Sequence, residues 1–126
     1  MTHARPTGNR GPAAAAENRR AILAAAREVF NERGFHAPLS AVAKRAGVGQ
    51  GVLYRHFRTR LDLAFETFES NFAEFEEMAE DPSPDLLLRM WTRLIDMTIE
   101  EIAFIEMLVE ARRTVSDHDA SERMRR

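Results

Sequence analysis

The stretch Leu39-Ser-Ala-Val-Ala-Lys-Arg-Ala-Gly-Val-Gly-Gln-Gly-Val-Leu-Tyr-Arg-His-Phe57 holds two short apolar periods on either side of a glycine. Leu39, Val42, Ala43 and Ala46 fall at i, i+3, i+4 and i+7, one face of a two-turn helix that starts after Pro38. Gly47 suits the positive φ of a tight turn. Leu53 and Phe57 then give a second run, Gln50 to Phe57, its inner face. Ala43 is small where the second helix must cross closely, and Val48 and Leu53 are placed to fill the angle between the helices. Two short helices around a glycine-centred turn form a helix-turn-helix; the alternative is a purely structural helical hairpin.

Upstream, Ile22, Ala26, Val29 and Phe30 recur at helical spacing and predict a first helix from Glu17 to Arg33. Gly34 reads as a left-handed stop, with Phe35 folding back onto the last turn. Glycine and proline interrupt residues 1–16 until Ala13, so this segment reads as a flexible arm. Its Arg5 and Arg10, followed by Arg19 and Arg20, either reach along a nucleic-acid groove or have no role. Downstream, Thr59 and Asp62 form a variant capping box for a fourth helix running to about Ala79. Phe65, Phe68, Phe72 and Phe75 form one stripe along it, read as a core seam, with a share in a ligand cavity or partner contact as the alternative. Ser83 as N-cap and Pro84 at the first position open a fifth helix, whose apolar face is Leu87, Met90, Trp91, Leu94 and Ile95. Thr98 with Glu101 reads as a capping box for a sixth, through about Val115, with Ile102, Phe104, Ile105, Leu108 and Val109 facing inward. No strand period appears, so the predicted class is all-α.

With 126 residues, 44% of them hydrophobic, the chain has enough apolar mass for a core, which excludes full disorder. It has no cysteine, so disulfides, thiolate metal sites and cysteine nucleophiles drop out. His3, His36, His56 and His118 are scattered, and no metal-ligand spacing or glycine-rich phosphate loop occurs. No catalytic residue, metal or cofactor is therefore expected. No spanning segment or signal peptide is read either, which points to a cytoplasmic protein without a membrane partner. The net charge of −2 conceals an asymmetry: residues 1–60 hold 11 Arg and Lys against 3 acidic residues, and residues 61–126 hold 7 against 17. A basic module joined to an acidic one is expected where one end meets a polyanion. The bland alternative is uneven scatter over solvated helices.

Ile-Leu-Ala-Ala-Ala-Arg-Glu-Val-Phe-Asn-Glu-Arg-Gly-Phe, from Ile22 to Phe35, resembles the first helix of the TetR family of bacterial regulators. Ala41 to Phe57 resembles that family's helix-turn-helix, and Arg58-Thr-Arg-Leu-Asp-Leu63 the start of its fourth helix; the likeness covers residues 22–68. It departs in three places. Pro38 stands where a hydroxyl residue is common, which leaves Ser40 as the phosphate contact there. Gly49 replaces a frequent serine, which weakens the cap of the recognition helix. The chain also stops soon after the sixth helix, so it is either a fragment or a short form with another mode of dimerisation.

The resemblance implies a three-helix DNA-binding head over residues 17–64 and the start of a helical ligand-binding and dimerisation domain over 65–126. It implies a transcriptional regulator, a repressor released from double-stranded DNA by a small-molecule ligand. Gln50, Gly51 and Val52, at the start of the recognition helix, are expected at base edges in the major groove. Gln50 would pair with adenine, Val52 would touch a thymine methyl, and Gly51 would let the backbone approach. Tyr54 and His56 turn to phosphates, or else pack at the helix end. Arg55 lies beside them at bases or backbone, and Thr59 and Arg60 clamp the next phosphate. One short helix reads too few bases, so a homodimer on a palindromic operator is expected, with half-sites about 34–36 Å apart. Phe72, Phe75, Met78, Met90, Trp91, Ile105, Met107 and Leu108 are the candidates for a ligand cavity, or ordinary core. The competing functional reading is a helical interaction module whose helix-turn-helix does not bind DNA.

Overall fold

The computed structural model describes residues 11–125, and every regular element among them is helical. The order is α1 (Pro12–Arg33), α2 (Leu39–Ala46), α3 (Gln50–His56), α4 (Arg60–Thr67), α5 (Glu69–Ala79), α6 (Leu86–Glu100) and α7 (Ile102–Arg125). The chain divides into two compact units, one ending at Thr67 and the other beginning at Phe68.

The first unit is built on α1, which buries Ile22, Ala25, Ala26, Val29 and Phe30 against α2 and α4. It begins more than a turn before the expected Glu17. Pro12 stands at the first helical position, where its missing N–H has no partner to lose, and Ala13 to Ala16 are the strongest helix formers. The predicted arm is therefore helical from Pro12 onward, while Arg5 and Arg10 lie outside the described residues. At the other end Gly34 does not adopt the expected left-handed conformation. Its φ of 91° and ψ of 167° place it in an extended positive-φ region that only glycine occupies readily. Phe35 does fold back, its ring 5.9 Å from that of Phe30.

The ends of α2 are where proline and glycine put them. Gly47 is left-handed, with φ 73° and ψ 28°. Its N–H bonds the Lys44 carbonyl at 3.2 Å, and the Val48 N–H bonds Ala43 at 3.0 Å, the paired closure of a Schellman motif. Gly49 has an ordinary extended conformation, φ −72° and ψ 156°. A Cβ at either glycine would meet nothing within 4 Å, so only backbone strain separates them. Gly47→Ala is thus expected to cost about 1–2 kcal/mol in urea unfolding, and Gly49→Ala close to nothing.

One expected helix is broken, and one expected helix boundary is shifted, where the sequence carries no glycine or proline. The predicted fourth helix ends at Thr67 and resumes at Glu69. Thr67 Oγ1 donates to the Leu63 carbonyl at 2.7 Å and Arg27 Nη1 donates to the Thr67 carbonyl at 3.2 Å, so side chains satisfy carbonyls of the last turn. The break divides the phenylalanine stripe: Phe68 is fully buried, Phe72 and Phe75 are half-buried, and Phe65 is 41% exposed. Thr98 and Glu101 do not form a capping box. Thr98 lies inside α6 with its hydroxyl on the Leu94 carbonyl, and Glu101 sits in the break, its carboxylate accepting from Asn71 Nδ2 at 2.8 Å. α7 then continues past Val115 to Arg125.

In the second unit Phe104 is the centre, its ring 5.7 Å from Phe68 and 5.3 Å from Phe72. α6 turns Met90, Leu94 and the fully buried Met97 inward. Leu87, Trp91 and Ile95, expected on that face, form a neighbouring stripe and are exposed. Ser83 does not cap α6; its hydroxyl donates to the Asp85 carboxylate, which this bond holds below the usual carboxylate range. On α7 the buried residues are Ala103, Phe104 and Met107, while Ile102 and Val109 are exposed. No described helix is long and apolar enough to cross a membrane.

Candidate nucleic-acid interface

α3 has seven residues, too few to be stable alone, so packing sets its position. Leu53, 1% exposed, and Phe57, 2% exposed just beyond its end, anchor it to the first unit. The residues one helical turn apart on the opposite side, Gln50 with Tyr54 and Gly51 with Arg55, are exposed. Val52 and His56 share a half-buried flank. A Cβ on Gly51 would meet nothing within 4 Å, so the packing of the head does not require a glycine there. Ser40 is exposed on the first turn of α2. At the head of α4, Thr59 Oγ1 accepts the Asp62 N–H at 3.1 Å, which leaves its own hydrogen free to donate outward.

The arginines divide into two groups. Arg60 Nη1 donates to the carbonyls of Phe35, at 3.0 Å, and Ala37, and its guanidinium lies 5.8 Å from the Phe35 ring centroid. Burial pulls its pKa below the ordinary value, with Tyr54 opposing. That edge holds the loop between α1 and α2, so a phosphate can meet only the rest of the group. Arg45 pairs with Glu32 at 2.8 Å and lies 3.7 Å from Glu28, tying α2 to α1. Arg19 reaches the His56 carbonyl and Glu66. Lys44 and Arg58 are exposed and make no ion pair among the described residues. The sequence marks both only as basic residues in or next to the motif. Burial, then Arg19 and Arg55, lower the His56 pKa from its ordinary value, which favours the neutral ring.

The eight cavity candidates stand in different settings among the described residues. A groove of about 430 Å³ between α5 and α6 takes Met78 from that set, together with Glu74, Leu88, Arg89, Thr92, Arg93 and Asp96. Arg93 is clamped there by Glu74, at 2.7 Å and 3.2 Å, and by Glu100 at 3.4 Å, which raises its pKa. Met107 is fully buried core, Phe72 packs on Phe104, and Trp91 is 63% exposed. Phe75, Met90, Ile105 and Leu108 are half-buried on their own helices.

Residues 22–67 match the family model described as bacterial regulatory proteins, tetR family. The chain is 49% identical over 57 residues to an HTH-type transcriptional activator, FasR, of Mycolicibacterium smegmatis, covering 44% of the chain and 25% of that protein. It is 39% identical over 62 residues to the fatty acid metabolism regulator protein of Bacillus subtilis, covering 48% and 32%. To the HTH-type transcriptional repressor BepR of Brucella suis biovar 1 it is 49% identical over 55 residues, covering 43% and 26%. The chain thus spans about a quarter to a third of the length of these curated relatives. No solved structure matches it. A three-helix head of this geometry, matched by this model and these relatives, makes residues 22–67 a head of the kind found in the tetR family of bacterial regulatory proteins.

Proposed function

We propose that the chain is a transcriptional regulator that reads double-stranded DNA by laying α3 in the major groove. The observation that carries this is the division of α3 itself. Its apolar side is buried in the head, and its exposed side carries an amide, a bare backbone, a phenol and a guanidinium. Gln50 pairs with adenine, Gly51 admits close approach and Val52 meets a thymine methyl. Ser40, Tyr54, His56, Thr59, the free edge of Arg60 and Arg55 hold the backbone, joined by Lys44 and Arg58. Residues 17–64 act as the reading head and 65–126 begin a domain for dimerisation and sensing, so that two heads meet a palindrome. Some relatives are named as an activator and others as a repressor. Our reading for this chain is a repressor that a small molecule releases.

Selection of duplexes from a random pool tests this reading. An enriched palindrome is the expected result; enrichment of no sequence over background would overturn it. On the selected site, Tyr54→Ala should weaken binding to all sequences alike. Gln50→Ala should lose about 1–3 kcal/mol of discrimination at particular base pairs only. An unchanged sequence profile for Gln50→Ala, measured by competition gel shift, would remove its base-reading role.

A further inference from the structure

Leu53 and Phe57 fasten the inner side of α3, and its carboxyl end is fastened by a residue from another helix. Arg19, on α1, donates from Nη1 to the His56 carbonyl at 3.4 Å. Its guanidinium carbon lies 4.4 Å from the Phe57 ring centroid, and Nη2 pairs with Glu66 in the last turn of α4. One side chain thus meets the last residue of the recognition helix, the residue after it, and α4. These partners lie 37 and 47 residues away in sequence. An exposed ion pair alone contributes little. Here the arginine side chain is 36% exposed, its guanidinium stacked on a ring and bonded to an end carbonyl where a cation also suits the helix dipole. A lysine has no planar fork and could not make these contacts together.

We propose that Arg19 is a positioning residue that couples α4 to the recognition helix: Glu66 holds the guanidinium in place against His56 and Phe57. Without that hold the guanidinium leaves the α3 end, and α3 loses one fastening of its last turn while Leu53 and Phe57 still hold its inner side. Its consequence for DNA rests on the function proposed above; the coupling itself does not.

The experiment compares the full chain with Arg19→Ala, Arg19→Lys, Glu66→Gln and the Arg19→Ala/Glu66→Gln double variant. Amide exchange is followed at Phe57, whose N–H bonds Leu53 at 2.9 Å, and at Val48, held to Ala43 at 3.0 Å, as a reference within the head. Arg19→Ala should speed exchange at Phe57 about tenfold, the scale of one hydrogen bond to a charged group, with Val48 unchanged. Glu66→Gln should act in the same direction, the double variant should be no faster than Arg19→Ala, and Arg19→Lys should not rescue. The His56 ring should titrate higher in Arg19→Ala, because one of the charges depressing it is gone. On the selected duplex Arg19→Ala should lose about tenfold more affinity than on a random one. Unchanged Phe57 exchange, equal acceleration of Val48, or strictly additive effects of Arg19 and Glu66 would overturn the coupling. Because Glu66 is half exposed, Glu66→Gln keeps the test open if Arg19→Ala fails to fold. Coupling without any duplex selected by the wild-type chain would leave the inference standing and remove the DNA reading. Duplex binding with Phe57 exchange and affinity unmoved in Arg19→Ala would do the reverse.

Discussion

Phe30→Ala is expected to remove about 3–5 kcal/mol from the first unit. Phe30 has no exposed surface, its ring meets Phe35, and its carbonyl accepts the Gly34 N–H at 2.8 Å, so core packing and the end of α1 meet at one residue. Folded domains hold about 0.05–0.15 kcal/mol per residue, and on that scale the loss approaches the whole stability of so small a head. Tyr54 is the only tyrosine and lies in this unit, so its fluorescence with circular dichroism follows the melt. The expected outcome is a head largely unfolded at 25 °C and loss of duplex binding. A cost below about 1 kcal/mol, the range of ordinary surface changes, would show that α1 does not organise the head.

The second large effect belongs to Phe104→Ala in α7. Phe104 is 1% exposed and stands tilted on Phe68 and edge-on to Phe72. Cavity formation at such a site costs about 3–5 kcal/mol, and aromatic pairs add about 0.5–1.5 kcal/mol beyond buried area. Trp91, the only tryptophan, reports on this unit from α6. Phe65→Ala is the matched control: its ring is 41% exposed, and the expected cost is within about 1 kcal/mol. Equal costs at Phe65 and Phe104 would contradict the break at Phe68 and restore a continuous aromatic seam.

These two residues also mark the limit of what sequence makes legible. The bounds of α2 and the left-handed turn at Gly47 follow from Pro38, Gly47 and apolar spacing, because local chemistry decides them. The breaks at Phe68 and Glu101 carry no such mark. They arise where Thr67, Arg27 and Asn71 hydrogen-bond to backbone or carboxylate groups brought near by folding. Thr98 misleads for the same reason: a threonine hydroxyl serves a cap or a preceding carbonyl equally well, and tertiary packing chooses. At the candidate interface, Leu53 and Phe57 as anchors follow from helical period, Gln50 and Gly51 from their place at the start of the second helix, and the outward Tyr54 from the family resemblance. The fates of Arg19, Arg45 and Arg60 do not. A long cationic side chain next to a motif looks like a phosphate contact until the fold shows which carbonyls and carboxylates lie within reach. Lys44 and Arg58 are the converse, cations left outward by the fold and invisible among their neighbours in the sequence.

The central claim, that the head meets a DNA polyanion with α3 and the basic residues flanking it, is tested most directly by the salt dependence of binding to the selected duplex. The predicted result is log K falling linearly with log salt concentration, with a slope of about −0.9 for each phosphate neutralised. Arg58→Ala should lower the magnitude of that slope by about one at unchanged base preference. Binding indifferent to salt, or a slope untouched by Arg58→Ala and by Lys44→Ala, would contradict it.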